Sequence, residues 1–195
     1  MKIPRPILVA LILLVLIAVT AGLTFLIPSG PESRFGEIIY ETQSEFSQIR
    51  VREKGSVRSL LFVDPDGTEH CQSSVDVRAP AEHQLGYTKT MLSSFFFHYP
   101  QKRVLIVGLG GGGMVQFLNF SFPAMAVEAV EIDPVVVQIA AEYFYTRPGI
   151  QFRVHTEDAF EFFEREHRLY DVIYIAASVE KVAHGCHGNC RDDKK

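Results

Sequence analysis

The hydrophobic pattern changes twice along the chain, and its first part is one continuous apolar run. Residues 7–27 carry no charge, and a helix of this length reaches about 31 Å, close to the thickness of a bilayer's hydrocarbon core. The run predicts an N-terminal transmembrane helix in a single-pass membrane protein, with 1–30 as anchor and linker. A cleaved signal peptide is the alternative, because Lys2 and Arg5 precede the run. These two cations leave the side of the membrane open.

The second part, residues 31–100, has short runs of alternating apolar and polar residues. Four strands are predicted in it, at 37–42, 48–53, 59–63 and 68–72. The sequence Asp64-Pro65-Asp66-Gly67 supplies the residues of a hairpin turn between the last two. Pro80 marks the start of a helix predicted at 81–97. We expect this part to be a small β-rich domain.

From residue 101 the pattern becomes an alternation of apolar strands and amphipathic helices. Strands are predicted at 104–107, 126–132, 151–155 and 171–175, and the helices between them at 114–119, 135–145 and 159–166. Continuous apolar strands that alternate with helices indicate an α/β fold with a parallel sheet covered on both faces. We expect 101–176 to form this nucleotide-binding α/β domain and 177–195 to be a polar tail.

Composition narrows the classes of partner. The residues after position 30 carry 17 Lys and Arg against 23 Asp and Glu, so we expect no nucleic acid as a partner. The tail holds residue types that bind zinc, namely His184, Cys186, His187 and Cys190. Their C-x-x-x-C spacing and the lack of a fold around them favour a tail without a metal.

The strongest chemical signal is a glycine loop that joins the first strand and helix of the α/β part. Residues 108–113 read G-L-G-G-G-G and satisfy G-x-G-x-x-G. Without Cβ atoms, Gly108 and Gly110 let a ligand approach the backbone N–H groups. Glu131 ends the next predicted strand, where a carboxylate accepts hydrogen bonds from both hydroxyls of an adenosine ribose. Gly108, Gly110 and Glu131 are therefore predicted to bind a nucleoside cofactor.

Two further acids lie near the same predicted edge of the sheet. Asp133 precedes Pro134 and is predicted to cap the helix at 135–145. Asp158 follows the third strand, where it would bond an adenine amino group, but it also precedes the helix at 159–166 and would equally serve as its N-cap. Asp158 is kept as a cofactor-binding candidate with both roles open.

These segments resemble the spermidine synthase family of aminopropyltransferases, a branch of the class I S-adenosylmethionine-dependent methyltransferase fold. The resemblance covers roughly residues 40–175, and its specific segments are the glycine loop at 104–113, the strand-end acid at 130–137, the adenine-contacting segment at 155–158 and the fourth strand at 170–174. It implies a small-molecule substrate, which is S-adenosylmethionine or its decarboxylated form. It also implies that Glu131 binds the ribose and Asp158 the adenine.

The chain departs from the family pattern at several points. Gly111 stands where the family's glycine loop has an acid, and Ala176 stands where an acid takes a proton from the attacking amine. Thr88 and Lys89 replace a His-Glu pair that follows the tyrosine matched by Tyr87. The family fold has seven strands, whereas 19 residues follow Ala176, so the sheet is predicted to be truncated after its fourth strand.

The expected function is a spermidine synthase-like transferase that binds an adenosylmethionine-type ligand, with no catalytic residue assigned and no activity as a polyamine synthase. A methyltransferase that uses S-adenosylmethionine itself and a non-catalytic truncated homologue are the alternatives. An NAD-dependent dehydrogenase fits the glycine pattern alone. A sheet that ends at its fourth strand leaves an unpaired edge, which a partner protein or a second copy in a homodimer would cover.

Overall fold

The computed structural model of the chain describes residues 33–80 and 90–176. The elements discussed below all lie in one compact unit that begins at Phe35. The predictions for 1–30 and for the tail at 177–195 fall outside the described residues. The division of the chain into four domain ranges stays a prediction.

The first sheet is an antiparallel meander whose strands are neighbours in chain order: β1 Glu37–Gln43, β2 Gln48–Lys54, β3 Val57–Val63 and β4 Glu69–Asp76. Its two faces follow the alternation of the sequence. Ile49 and Val51 on β2 are fully buried, whereas Arg50 and Arg52 between and beyond them form ion pairs with Glu69 on β4. The four predicted strands are therefore confirmed.

The second sheet is parallel, with strands β5 Arg103–Val107, β6 Ala126–Glu131, β7 Phe152–Thr156 and β8 Val172–Ile175. The helices that follow the first three of these strands are α1 Gly113–Ser121, α2 Pro134–Tyr143 and α3 Ala159–Arg165. Strands β5 and β6 are buried along almost their whole length, as expected for a sheet covered on both faces. The predicted parallel α/β fold is confirmed.

The order of the strands across the second sheet is β7-β6-β5-β8. The chain moves outward from β5 to β6 and β7, and then crosses back to place β8 on the other side of β5. The strand order therefore reverses its direction between β5 and β8, and the carboxyl ends of these two strands flank a topological switch point. Open parallel sheets bind their ligands in the crevice at such a switch point.

The first sheet packs against α2 of the second. Leu60 and Val75 from the meander share a buried cluster with Val136, Ile139 and Phe144. Arg58 of β3 adds a polar tie by donating to the carbonyl oxygen of Tyr143 at the end of α2. This packing brings β4 up to the glycine loop of the parallel sheet.

The helix predicted at 81–97 is only partly described, and the part from Leu92 to Phe96 is a 3₁₀ helix. Ser94 in this turn makes a 2.6 Å hydrogen bond with the Tyr174 hydroxyl of β8, and serine and phenylalanine are weak helix formers. The segment thus forms a 3₁₀ helix where the sequence predicts an α-helix, and its Ser94 side chain contacts the sheet.

The predicted N-terminal transmembrane helix is corrected here, and with it the single-pass membrane localisation and the membrane contact through residues 7–27. Across residues 33–80 and 90–176, no helix is long and apolar enough to cross a membrane. The longest described helix, α2, has 10 residues, and it reaches about 15 Å at 1.5 Å per residue, half of a hydrocarbon core. Residues 7–27 themselves lie outside the described residues.

Candidate functional site

A cavity of about 470 Å³ lies at the carboxyl ends of the parallel strands. Its floor comes from the ends of β5 and β6 and from the loops that follow β5, β6 and β7, and Ala176 borders it after β8. Residues of the first sheet line it as well, among them Phe62 on β3 and Ser73 on β4. The cavity is thus at the switch point of the parallel sheet and is walled by the meander.

The glycine loop lies on this floor in a conformation that requires glycine. Gly108 and Gly110 both line the cavity and have positive φ angles of 92° and 54°, a region that side chains with a Cβ rarely adopt. The Gly108 N–H donates to the carbonyl oxygen of Val130 at 2.8 Å, which ties the loop to β6. A Cβ on Gly110 would lie 3.2 Å from that of Ser73 on β4. The loop is therefore held between the two sheets.

Gly111 and Gly112 are not among the residues that line the cavity. The segment after α2 packs against them. A Cβ on Gly111 would lie 2.8 Å from Cδ1 of Phe144, and one on Gly112 would lie 2.3 Å from Cγ2 of Thr146. The Thr146 hydroxyl donates to the Gly111 carbonyl oxygen at 2.8 Å. The absence of a side chain at Gly111 thus has a packing cause, which spacing alone did not reveal.

Glu131 lies at the last position of β6 and lines the cavity. Its Oε2 accepts a 2.8 Å hydrogen bond from the backbone N–H of Leu109, inside the glycine loop. Its Oε1 accepts a 3.1 Å hydrogen bond from the N–H of Asp133. A carboxylate has about four acceptor positions, so these two bonds orient the group and leave capacity on both oxygens.

Asp133 caps α2, as predicted. Its Oδ1 accepts a 2.8 Å hydrogen bond from the N–H of Val135, and Pro134 occupies the first turn of the helix. The residue is only 2% exposed. Among the described residues its Oδ2 has no hydrogen-bond partner.

Asp158 is the N-cap of α3, and its contact with an adenine stays a prediction. Its Oδ1 accepts a 2.7 Å hydrogen bond from the N–H of Phe160, which makes it the N-cap of α3. It also lines the cavity beside Glu157. Glu157 is paired with Arg165 at 2.7 Å, so its charge is already compensated, whereas the second oxygen of Asp158 stays available at the cavity.

The charged side chains that line the cavity are all acidic. Four acids contribute to it, Glu131, Asp133, Glu157 and Asp158, and no Lys, Arg or His of the described part of the chain does. The residues from the first sheet that line the cavity are apolar or neutral. This lining favours a ligand with hydroxyl, amino or cationic groups over one with phosphates.

Ala176 follows β8 and borders the cavity, with its N–H donating to the carbonyl oxygen of Val107 at 2.8 Å. The carboxylates around the cavity come from the ends of β6 and β7, and the described end of β8 contributes a methyl group in their place. Tyr87, Thr88, Lys89 and the histidines and cysteines of the tail lie outside the described residues. Within residues 33–80 and 90–176, no group of His, Cys, Asp and Glu is arranged to hold a metal ion.

A second polar cluster, which the sequence pattern does not predict, lies on the α3 side of the sheet. Glu128 on β6 is 4% exposed and accepts hydrogen bonds from Arg168 at 2.9 and 3.0 Å and from the His155 ring at 2.8 Å. Burial raises the pKa of Tyr170 to about 12, with Glu128 adding to the effect. Arg168 lowers the pKa of Glu166 to about 2 by hydrogen bonding. This cluster fastens the loop before β8 to the sheet.

Comparison with known proteins places this geometry in a family. The model of the spermine/spermidine synthase domain matches residues 84–184, just over half of the chain. A polyamine aminopropyltransferase of Vibrio vulnificus is 36% identical over 145 residues, which are 72% of this chain and 48% of that protein. A Drosophila melanogaster homolog of the eEF1A lysine and N-terminal methyltransferase is 43% identical over 65 residues, 33% of this chain and 10% of that protein.

Solved structures agree on the fold. A probable spermidine synthase from Corynebacterium glutamicum superposes with a TM-score of 0.56 at 16% identity, covering 66% of this chain and 48% of the other. The spermidine synthase of Thermotoga maritima gives 0.53 at 21% identity, covering 72% and 47%. The chain spans about half the length of these relatives. Sequence and fold together show that the chain belongs to the spermine/spermidine synthase family.

Proposed function

We propose that the cavity binds a nucleoside of the adenosylmethionine type, S-adenosylmethionine or its decarboxylated form. In this proposal Glu131 holds the ribose, Asp158 contacts the adenine, and Gly108 and Gly110 line the ligand with their backbone. The observation that carries it is the Glu131 carboxylate, which is fixed to the glycine loop through Leu109 while it borders the cavity.

The chemistry of Glu131 suits a ribose. Two of its acceptor positions are occupied by the N–H groups of Leu109 and Asp133, and the remaining ones match the two adjacent hydroxyls of a ribose. Hydrogen bonds from hydroxyls to a carboxylate are charge-assisted and stronger than neutral ones. Because the acid is already oriented by the backbone, little of its freedom is lost when the ligand binds.

The charge of the lining separates this ligand from a dinucleotide. A sulfonium centre is positive and is attracted by the acids around the cavity, whereas a pyrophosphate would be repelled by them. NAD shares the need for a glycine loop and a ribose acid, but it brings two negative phosphates into the cavity. The acidic lining therefore favours the sulfonium nucleoside.

We propose further that the chain does not transfer an aminopropyl group to putrescine. In that reaction the amine nitrogen forms a bond to the propyl carbon, the bond between this carbon and sulfur breaks to leave methylthioadenosine, and the amine loses a proton. A fixed carboxylate that takes the proton contributes about a hundredfold to ten-thousandfold. Ala176 has no group that accepts a proton.

An S-adenosylmethionine-dependent methyltransferase is the second candidate, and Ala176 is the observation that favours it. The described end of β8 offers the cavity a methyl group and no carboxylate, so the base of an aminopropyltransferase is missing there, while Glu131 and Asp158, the proposed contacts of the nucleoside, remain in the lining. A non-catalytic homologue would bind the same nucleoside without turnover.

Calorimetric titration of the full chain tests the binding proposal, with S-adenosylmethionine, its decarboxylated form and NAD as ligands. We expect saturable binding of an adenosylmethionine-type nucleoside and no binding of NAD at the same concentrations. A preference for NAD would overturn the assignment.

Activity is tested by transfer from decarboxylated S-adenosylmethionine to putrescine, with the Vibrio vulnificus aminopropyltransferase as the positive control. We expect no spermidine from the unmodified chain. Clear turnover would show that a group other than one at position 176 serves as the base.

A further inference from the structure

Phe160 lines the cavity in the first turn of α3. A hydrogen bond before it and a buried ring after it hold this turn in place. The Phe160 backbone N–H donates to Asp158 Oδ1 at 2.7 Å, and two residues later Phe162 is buried against Leu105 and Val130 under the helix. The cap and the buried ring hold the first turn of α3 against the sheet. Phe160 and Asp158 thus both belong to the lining of the cavity.

The exposure of Phe160 distinguishes it from the other aromatic residues of α3. Phe162 is 1% exposed and Phe163 is 42% exposed, whereas Phe160 is 82% exposed although it lines the cavity. Phe162 and Phe163 pack against each other edge to face, with ring centroids 5.8 Å apart. Packing thus accounts for these two rings, and it leaves most of the Phe160 side chain exposed.

We propose that Phe160 is a stacking platform for the purine base of the bound nucleoside. The inference rests on the proposed function, since Asp158 is the residue assigned to the adenine there. Every nucleobase has a π-face, and an aromatic side chain next to a hydrogen-bonding group stacks on it while the polar group reads its edge. Phe160 supplies affinity in this arrangement, and Asp158 supplies the choice of base.

The size of the effect follows from known base stacking. Removal of a stacked aromatic ring costs about 1 to 3 kcal/mol per base, and each 1.4 kcal/mol is a factor of ten in affinity. A ring that is open on one side belongs at the lower end of that range. We therefore expect Phe160→Ala to weaken binding of S-adenosylhomocysteine by about fivefold or more.

Tryptophan fluorescence reports the contact directly, because the chain contains no Trp. In Phe160→Trp the single indole lies at the cavity mouth, and in the matched variant Phe163→Trp it lies on the same helix outside the cavity lining. We expect S-adenosylhomocysteine to change the emission of the first variant saturably and to leave that of the second unchanged. Calorimetry on Phe160→Ala and Phe163→Ala gives the affinities.

The outcomes separate this inference from the proposed function. Loss of affinity in Phe160→Ala, with affinity kept in Phe163→Ala, supports the platform. If Phe163→Ala weakens binding as much as Phe160→Ala does, loosening of α3 explains both and the platform is refuted. If the wild-type chain binds and Glu131→Ala does not, but Phe160→Ala binds like wild type and Phe160→Trp emission is unchanged, only this inference fails. Absence of binding by the wild-type chain overturns both.

Discussion

Replacement of Glu131 by alanine has two separable consequences, because the carboxylate accepts hydrogen bonds from the backbone around the glycine loop and is also proposed to bind the ligand. In the free protein the variant loses the acceptors of the Leu109 and Asp133 N–H groups. Hydrogen bonds to a charged group contribute about 1.5 to 3 kcal/mol each. Since Glu131 is only partly buried, we take the lower value and expect a loss of about 3 kcal/mol in the free energy of unfolding.

The effect on binding adds to this loss of stability. Two charge-assisted bonds to the ribose disappear, each again worth about 1.5 kcal/mol or more, so affinity for S-adenosylhomocysteine should fall about a hundredfold or more. The matched variant is Asp133→Ala, which removes the α2 cap at a cost of about 0.5 to 2 kcal/mol in stability. It leaves Glu131 in place, and its affinity should fall by less than tenfold.

Urea denaturation of the ligand-free variants measures the first effect, and calorimetric titration under conditions where each variant is folded measures the second. The reasoning is refuted if Glu131→Ala binds the nucleoside as tightly as the wild type. It is refuted equally if Asp133→Ala loses as much affinity as Glu131→Ala, because the ribose assignment would then have no support.

Three further predictions concern the scaffold around the site. Gly112→Ala should destabilise the protein by more than about 1 kcal/mol in urea denaturation, because φ is +75° and the new Cβ would meet Thr146 at 2.3 Å; an unchanged midpoint would contradict this packing. Tyr170→Phe should leave stability unchanged or raise it, since the buried hydroxyl has no hydrogen-bond partner among the described residues; a clear loss in the same assay would reveal a partner. The pKa of Glu166, lowered from 4.5 to about 2 by Arg168, means that its contribution is present above pH 4.5 and is lost as pH falls toward 2; Glu166→Gln should flatten the acid limb of stability against pH, and an unaltered limb would argue against the pair.

Patterns among neighbouring residues of the sequence predict much of the fold. The apolar runs predicted the strands of the parallel sheet to within one or two residues, since strands buried on both faces leave a continuous hydrophobic pattern. Asp133 before Pro134 predicted the start of α2 correctly because a cap depends on neighbouring residues alone. The glycine loop is predicted correctly for the same reason, because the positive φ angles at Gly108 and Gly110 favour glycine at those positions themselves.

Contacts between distant segments were not visible in the sequence. The sequence relates Gly111 only to a family acid, whereas the structure shows that Phe144 and Thr146, from the segment after α2, pack directly on Gly111 and Gly112. The contact from Glu131 to Leu109 and the cluster around Glu128 likewise depend on the sheet order. The apolar run at 7–27 illustrates the converse, because length and hydropathy alone led to the transmembrane prediction that is corrected above.

A crystal structure of the full chain grown with S-adenosylhomocysteine tests the central claim most directly. The account predicts the nucleoside in the cavity, with both ribose hydroxyls at about 2.5 to 2.8 Å from the Glu131 carboxylate and the base next to Asp158. A nucleoside bound elsewhere, or one in the cavity whose ribose makes no contact with Glu131, would contradict it.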